Sequence, residues 1–366
     1  MSERPKMGCE SVVLLSLLLL ASLAAGYRPW YSFDGCDVLL PDNRIPSSIV
    51  HFVGGFIAGS QAPIAYNKVI NGLADAGHAV VCTPIPAIAT NHGEIAGNII
   101  NLFSNCYNNK LTEIIGVKNI RNVPVIGLSH SLGGKLMALI CSRKEDRKRL
   151  PYRYGNIYLS FNNYGIKENM ELMSSQASAL SPEVGKIIDA VVNNLEIQSI
   201  TDVLQSSAFN SQPFIKDLVK NDLLKSVTER VSNIVTQSTA ASNDFSKINF
   251  TPTPTETLQI IKEGYNTQKN VLIKFKEDSI DQSDDLARVL YHRACDVKTI
   301  TLPGNHLTPN TISQSDDNRQ ESFQQELVSL VNSMSTKAWD DISEVENRRY
   351  YLPPSASKID FDNDNV

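Results

Sequence analysis

The chain has 366 residues, with 39 acidic against 34 basic side chains and a formal charge of −5. That balance gives no basic face for nucleic acid, and neither a glycine-rich dinucleotide motif nor a P-loop is present, so nucleotide binding has no support. The 6 cysteines are widely spaced and lack a C-x-x-C pair, so no zinc or redox centre, and no cofactor, is expected.

The elements follow in chain order. Arg4 and Lys6 precede the apolar run Val12–Leu20, and the small residues Ala21, Ser22, Ala24, Ala25 and Gly26 follow. That is the layout of a signal peptide over 1–26, and it predicts entry into the secretory pathway. Residues 27–44 read as a linker or transit-like segment. Ser48–Val53 reads as the first core strand and runs into Gly54-Gly55-Phe56. Gln61–Ala76 has helical periodicity and stops at Gly77, as a C-terminal glycine would make it. His78–Pro84 reads as a strand ended by Pro84 and Pro86. Gly93–Ile115 is mostly helical, with a break expected at Asn108-Asn109. Cys82, in the strand, and Cys141, farther on, read as small apolar core residues.

The most informative segment is Gly127-Leu128-Ser129-His130-Ser131-Leu132-Gly133-Gly134. Val123–Ile126 before it reads as a buried strand, and Lys135–Ile140 after it as an apolar helix. Strand, tight turn with a central serine, then helix is the arrangement of a nucleophile elbow. Ser129 stands where glycine is usual. The turn needs small residues on both sides, which Ser129 and the elbow glycines Gly133 and Gly134 provide. The basic run Arg143–Arg149 reads as a solvated helix end, and Asn156–Phe161 as the next strand. Residues 166–246 lack strand signals and carry apolar residues at helical spacing, so a helical cap insertion is expected there. Asn270–Phe275 and Val297–Leu302 read as strands. The first leads into Lys276-Glu277-Asp278-Ser279-Ile280-Asp281, the second into Pro303-Gly304-Asn305-His306. Beyond Ser335 the chain turns acidic, and 335–366 reads as a disordered tail.

Serine, acid and histidine thus stand in one order, each just past a strand's C-terminal end, where an open parallel sheet has its crevice. Serine is a poor nucleophile until a base takes its proton, histidine titrates near neutrality, and a buried carboxylate fixes the imidazole tautomer. The candidates are Ser131, Asp278 and His306, with Asp281 or Glu277 as alternative acids. The backbone N–H groups of Phe56 and Leu132 are the candidate oxyanion donors, although Gly54–Ser60 reads equally as a flexible loop.

The segments His51–Phe56, Gly127–Gly134, Phe161–Tyr164, Phe250–Thr257, Leu272–Phe275 and Leu302–Pro309 resemble the family called domain of unknown function 1350, over roughly Ile45 to Leu330. The resemblance implies an α/β-hydrolase fold, a mostly parallel central sheet flanked by helices, and supports the three site positions. It names no substrate. The core is expected over 45–165 and 247–334. The family's association with photosynthetic organisms adds an alternative address, a plastid reached through the secretory pathway. The functional expectation is a serine hydrolase (esterase, lipase or thioesterase-like) acting on a small apolar ester or thioester. The alternatives are a catalytically silent fold that binds a lipid, pigment or other apolar ligand, and an interaction module. Membrane-surface association and oligomeric state stay open.

Overall fold

The computed structural model describes residues 28–43, 45–56, 58–86, 90–116, 120–165, 250–310 and 317–351. The signal segment 1–26, the cap over 166–246 and the end of the acidic tail lie outside the described residues.

Eight strands form one sheet: β1 (Trp30–Phe33), β2 (Cys36–Leu39), β3 (Ile49–Val53), β4 (Ala79–Cys82), β5 (Val125–His130), β6 (Arg153–Leu159), β7 (Lys269–Phe275) and β8 (Asp296–Leu302), in the order β1-β2-β4-β3-β5-β6-β7-β8. The β1–β2 and β2–β4 pairs are antiparallel and the other five pairs parallel. The order reverses between β3 and β5, both of which are buried along their whole length. Continuous apolar runs belong to such central parallel strands, because helices cover both faces.

Alternation sorts the side chains. Ile49 and Val53 of β3 join one core, and Val50 and Phe52 join the other. The first core is covered by α2 (His92–Cys106), α3 (Leu132–Ser142), α4 (Pro254–Gly264) and α5 (Ser283–His292); the second by α1 (Asn67–Asp75) and α6 (Asp317–Tyr351). Helix α3 is buried all round, and its sequence is accordingly apolar or small except for Lys135. Local chemistry fixes the helix ends. Thr253 and Glu256 make a reciprocal capping box before α4, and the Asn91 side chain accepts the Glu94 amide at 3.0 Å before α2. After α1, the His78 amide donates to Leu73 and the Gly77 amide to Ala74, with Gly77 at φ +94°. These are the paired bonds of a Schellman ending, which place a glycine where an L side chain is strained.

Several sequence expectations are corrected. The segment 27–44 is not a linker: it supplies the β1–β2 hairpin, so Ser48–Val53 corresponds to the third strand. Those strands are four residues each, too short for a period to be read. The Gln61–Ala76 helix is interrupted at Tyr66, between a short turn at Ala62–Ala65 and α1. The break expected at Asn108-Asn109 is a wide π-helical turn, Tyr107–Leu111, that keeps the chain helical. The basic run Arg143–Arg149 is a largely exposed helix end, as expected, except at Asp146, which is buried with Arg143 Nε 3.2 Å from its carboxylate. Helix α6 runs through the boundary placed at 335, with Ser335 and Ala338 buried and Trp339 Nε1 donating to the Ser47 carbonyl at 2.7 Å.

Candidate active site

The C-terminal ends of β3, β5, β7 and β8 bring four loops to one edge of the sheet. Ser131 follows β5 directly and precedes α3. Its backbone lies at φ 55°, ψ −125°, a conformation that costs a non-glycine residue about 1–3 kcal/mol and persists only where the surroundings impose it. They do so here: the Ser131 amide donates to Leu159 at 3.0 Å, and the Ser131 carbonyl accepts the Gly134 amide at 2.8 Å. Ser129, in the unusual small position, is fully buried within β5, and its hydroxyl points at the Ile157 carbonyl, 3.5 Å away.

The second small position is set by a close approach. A Cβ on Gly133 would fall inside contact distance of the Val53 and Gly54 carbonyl oxygens, because the first turn of α3 packs directly on the loop after β3. Gly55 of that loop lies as close to the serine: a Cβ there would be 3.1 Å from Ser131 Cβ. Leu132 is the first residue of α3, where a helix amide has no intrahelical acceptor. Phe56 sits next to Gly55 in the same loop. The Gly55 amide itself is committed to the Tyr66 hydroxyl at 2.8 Å.

The His306 ring lies between Ser131 and Asp278. Its Nε2 is 2.8 Å from Ser131 Oγ and its Nδ1 is 2.9 Å from Asp278 Oδ2. A carboxylate only accepts, so Nδ1 carries the proton and Nε2 offers its lone pair to the serine hydroxyl. The Asp278 side chain is fully shielded from solvent, and its other oxygen accepts the Ile280 amide at 3.0 Å. Burial pushes the Asp278 carboxyl up, but the hydrogen bond to His306, that ring's charge, the Ser160 hydroxyl and the Ile280 amide outweigh it, and the group is held below its ordinary value. The histidine loop is fixed in the same way. Gly304 adopts φ +127°, the Thr308 hydroxyl accepts the Asn305 amide at 2.9 Å, and the Asn305 side chain accepts the Leu307 amide at 2.9 Å. Gly304, Asn305 and Thr308 of this motif therefore shape the loop that presents His306.

The alternative acids stand apart from this arrangement. Asp281 Oδ1 accepts the Ser283 amide at 2.6 Å, at the start of α5. Glu277 pairs with Arg319 at 2.9 Å on the surface. Sequence reasoning also overlooked two residues. Tyr66 lay inside an apparently continuous helix, and His130 was given no role within the elbow segment. Both are buried polar aromatics beside Ser131. The signal for Tyr66 was a polar aromatic on the face of a helix that otherwise buries aliphatic residues. Among the described residues, no group of three or more His, Cys, Asp and Glu could hold a metal ion, and no helix is long and apolar enough to cross a membrane.

A mostly parallel eight-stranded sheet whose second strand is antiparallel, with a serine elbow after the fifth, is an α/β-hydrolase fold. The chain belongs to the family described as "Protein of unknown function (DUF1350)", whose model matches residues 29–326. No curated protein matches it. Similar solved structures include esterase B from Lactobacillus rhamnosis HN001 (13% identity, covering 92% of this chain and 95% of that one, TM-score 0.47). A Paleococcus ferrophilus monoacylglycerol lipase is 15% identical over 84% of this chain and 99% of its own, with a TM-score of 0.45. The thioesterase domain from the curacin biosynthetic pathway is 12% identical over 83% of this chain and 98% of its own, with a TM-score of 0.43.

Proposed function

We propose that the protein is a serine hydrolase that cleaves an ester or thioester of an apolar acyl compound. The observation that carries this reading is the unbroken contact from Ser131 Oγ to His306 Nε2 to Asp278 Oδ2, at 2.8 and 2.9 Å, on a strained turn at a helix N-terminus. Ser131 attacks the acyl carbon as His306 takes its proton. Asp278 holds the ring in the tautomer that leaves Nε2 free to do so and stabilises the imidazolium that forms. The Phe56 and Leu132 amides receive the charge that develops on the carbonyl oxygen. His306 then returns the proton to the departing alcohol or thiol, and water, activated by the same histidine, releases the acid from Ser131.

The apolar acyl part rests on sequence: 166–246 carries apolar residues at helical spacing, inserted between β6 and α4, where a cap would cover the crevice. Hydrogen-bonded reach between nucleophile and base supports this reading over a catalytically silent ligand-binding fold.

A fluorophosphonate probe tests it, with wild type compared to Ser131→Ala. Labelling that is lost in the variant supports an activated serine, and a series of p-nitrophenyl esters of rising chain length then ranks the acyl group. A folded wild type that takes no label overturns the reading.

A further inference from the structure

A second run of buried hydrogen bonds passes behind the serine. The Gly55 amide donates to the Tyr66 hydroxyl at 2.8 Å, the Tyr66 hydroxyl lies 2.8 Å from His130 Nδ1, and His130 Nε2 lies 2.9 Å from the His306 carbonyl oxygen. Chemistry fixes the direction of every bond. A carbonyl oxygen only accepts, so His130 carries its proton on Nε2. Its Nδ1 is then an acceptor and takes the Tyr66 proton, while the Tyr66 oxygen accepts from Gly55. Burial pushes His130 down to about 3, with the neighbouring His306 ring adding to the effect, so His130 stays neutral wherever the protein is folded near neutral pH. Burial likewise pushes Tyr66 up, and its proton stays on the hydroxyl.

This run joins four segments that are far apart in sequence. Gly55 lies in the loop after β3, Tyr66 at the interruption before α1, His130 at the last position of β5 and His306 in the loop after β8. Tyr66 stands at the interruption between the Ala62–Ala65 turn and α1, with its backbone at φ −123°, ψ 24°. Ring contacts brace the two aromatics, Tyr66 edge-on to Phe52 at 4.8 Å and His130 beside His306 at 5.0 Å.

We propose that Tyr66 and His130 are positioning residues, which hold the loop carrying Gly55 and Phe56 and the backbone of His306 in register with Ser131. The inference rests on the hydrolase reading and assigns the two side chains a part in it. A pinned Gly55 amide fixes the Gly54–Gly55 peptide beside Ser131, one residue before Phe56. A pinned His306 carbonyl sets the backbone from which its ring reaches Ser131. Neither Tyr66 nor His130 touches the reacting atoms.

The test uses the full chain. Tyr66→Phe removes one oxygen and keeps the ring. His130→Ala removes the link, and His130→Gln restores an N–H donor for the His306 carbonyl. Fluorophosphonate labelling is resolved into the affinity for the probe and the maximal rate, with thermal unfolding recorded alongside. The expected result is a maximal rate lower by on the order of 10- to 100-fold in Tyr66→Phe and His130→Ala, at little-changed affinity, and partial recovery in His130→Gln. Variants that label at the wild-type maximal rate per folded molecule, whatever their melting temperature, overturn the positioning role and leave the hydrolase reading intact. A folded wild type that takes no label overturns both.

Discussion

Asp278 and His306 meet at 2.9 Å across the ends of two adjacent strands, β7 and β8, whose parallel register carries both loops to one height. Asp281 is only three residues further on, yet its carboxylate accepts the Ser283 amide at the start of α5, and the histidine bonds to Asp278. Asparagine at 278 keeps the shape but can present an N–H to His306 Nδ1 and favour the wrong tautomer. Asp278→Asn is therefore expected to lower the labelling and turnover rates by about 10⁴-fold. Asp281→Asn is expected to stay within about threefold of wild type. Comparable losses in both variants would remove the assignment of the acid.

The same Asp281 makes a second prediction, about stability. Its Oδ2 is buried without a hydrogen-bond partner among the described residues, and burial pushes its carboxyl up to about 6 from an ordinary 3.8. Between those values the folded protein keeps a proton that the unfolded chain has lost, so stability falls as pH rises through the window. Asparagine can retain the acceptor for Ser283 and never ionises. Asp281→Asn should therefore stabilise the protein at pH 8 by about 1–2 kcal/mol, allowing for its partial exposure, and change little at pH 4. Urea unfolding of both proteins at the two pH values measures the difference; an equal effect at both would count against an ionised, poorly solvated Asp281.

The two elbow glycines separate cleanly by what surrounds them. At Gly133 an added methyl meets backbone oxygens of Val53 and Gly54, which cannot move without shifting β3. At Gly134 the nearest atom is on the Phe161 ring, at 3.1 Å, which can yield by tenths of an ångström. Gly133→Ala is expected to cost about 3 kcal/mol or more and to abolish labelling, because it pushes the loop after β3 away from the serine. Gly134→Ala is expected to cost about 1 kcal/mol or less and to keep its label. Thermal melts with parallel labelling decide it, and a benign Gly133→Ala would refute the close approach.

The parts of this fold that were legible in the sequence are those in which one local rule dominates. The elbow stands out because a strained turn demands small residues beside Ser131, and the loop around His306 because Gly304 and Asn305 are needed to turn it. Gly77 marked the end of α1 for the same kind of reason. What stayed hidden depends on partners distant in sequence. The β1–β2 hairpin is held by β2 pairing with β4, more than 40 residues away. Asp146 is buried beside Arg143 and Arg149 within a stretch whose other charged residues are mostly exposed, so composition marks the surface but not its one buried carboxylate. Tyr66 and His130 acquire their roles only when β3, β5 and β8 bring Gly55, Ser131 and His306 together.

Lys135 lies one helical turn beyond Ser131, in an all-buried helix, fully shielded from solvent. Its ammonium donates to the Pro252 carbonyl at 2.9 Å and stands 5.8 Å from the centre of the Phe250 ring. These partners do not replace a full hydration shell. Burial pushes Lys135 down to about 7 from 10.5, with Glu256 opposing. Between those values the unfolded chain binds a proton that the folded protein does not, so stability rises with pH across that range. Methionine fills a similar volume without the charge. Lys135→Met is expected to stabilise the protein at pH 7 by about 1–3 kcal/mol. By pH 10 the gain should shrink away and turn into a loss of about 1 kcal/mol, because the Pro252 carbonyl then loses the Lys135 donor and keeps only the Thr257 hydroxyl at 3.4 Å. Chemical unfolding at pH 7 and pH 10 reads both arms. A Lys135→Met protein that is less stable than wild type at pH 7 would mean instead that the charged lysine, through Pro252 and Phe250, is a net clamp between α3 and the start of α4.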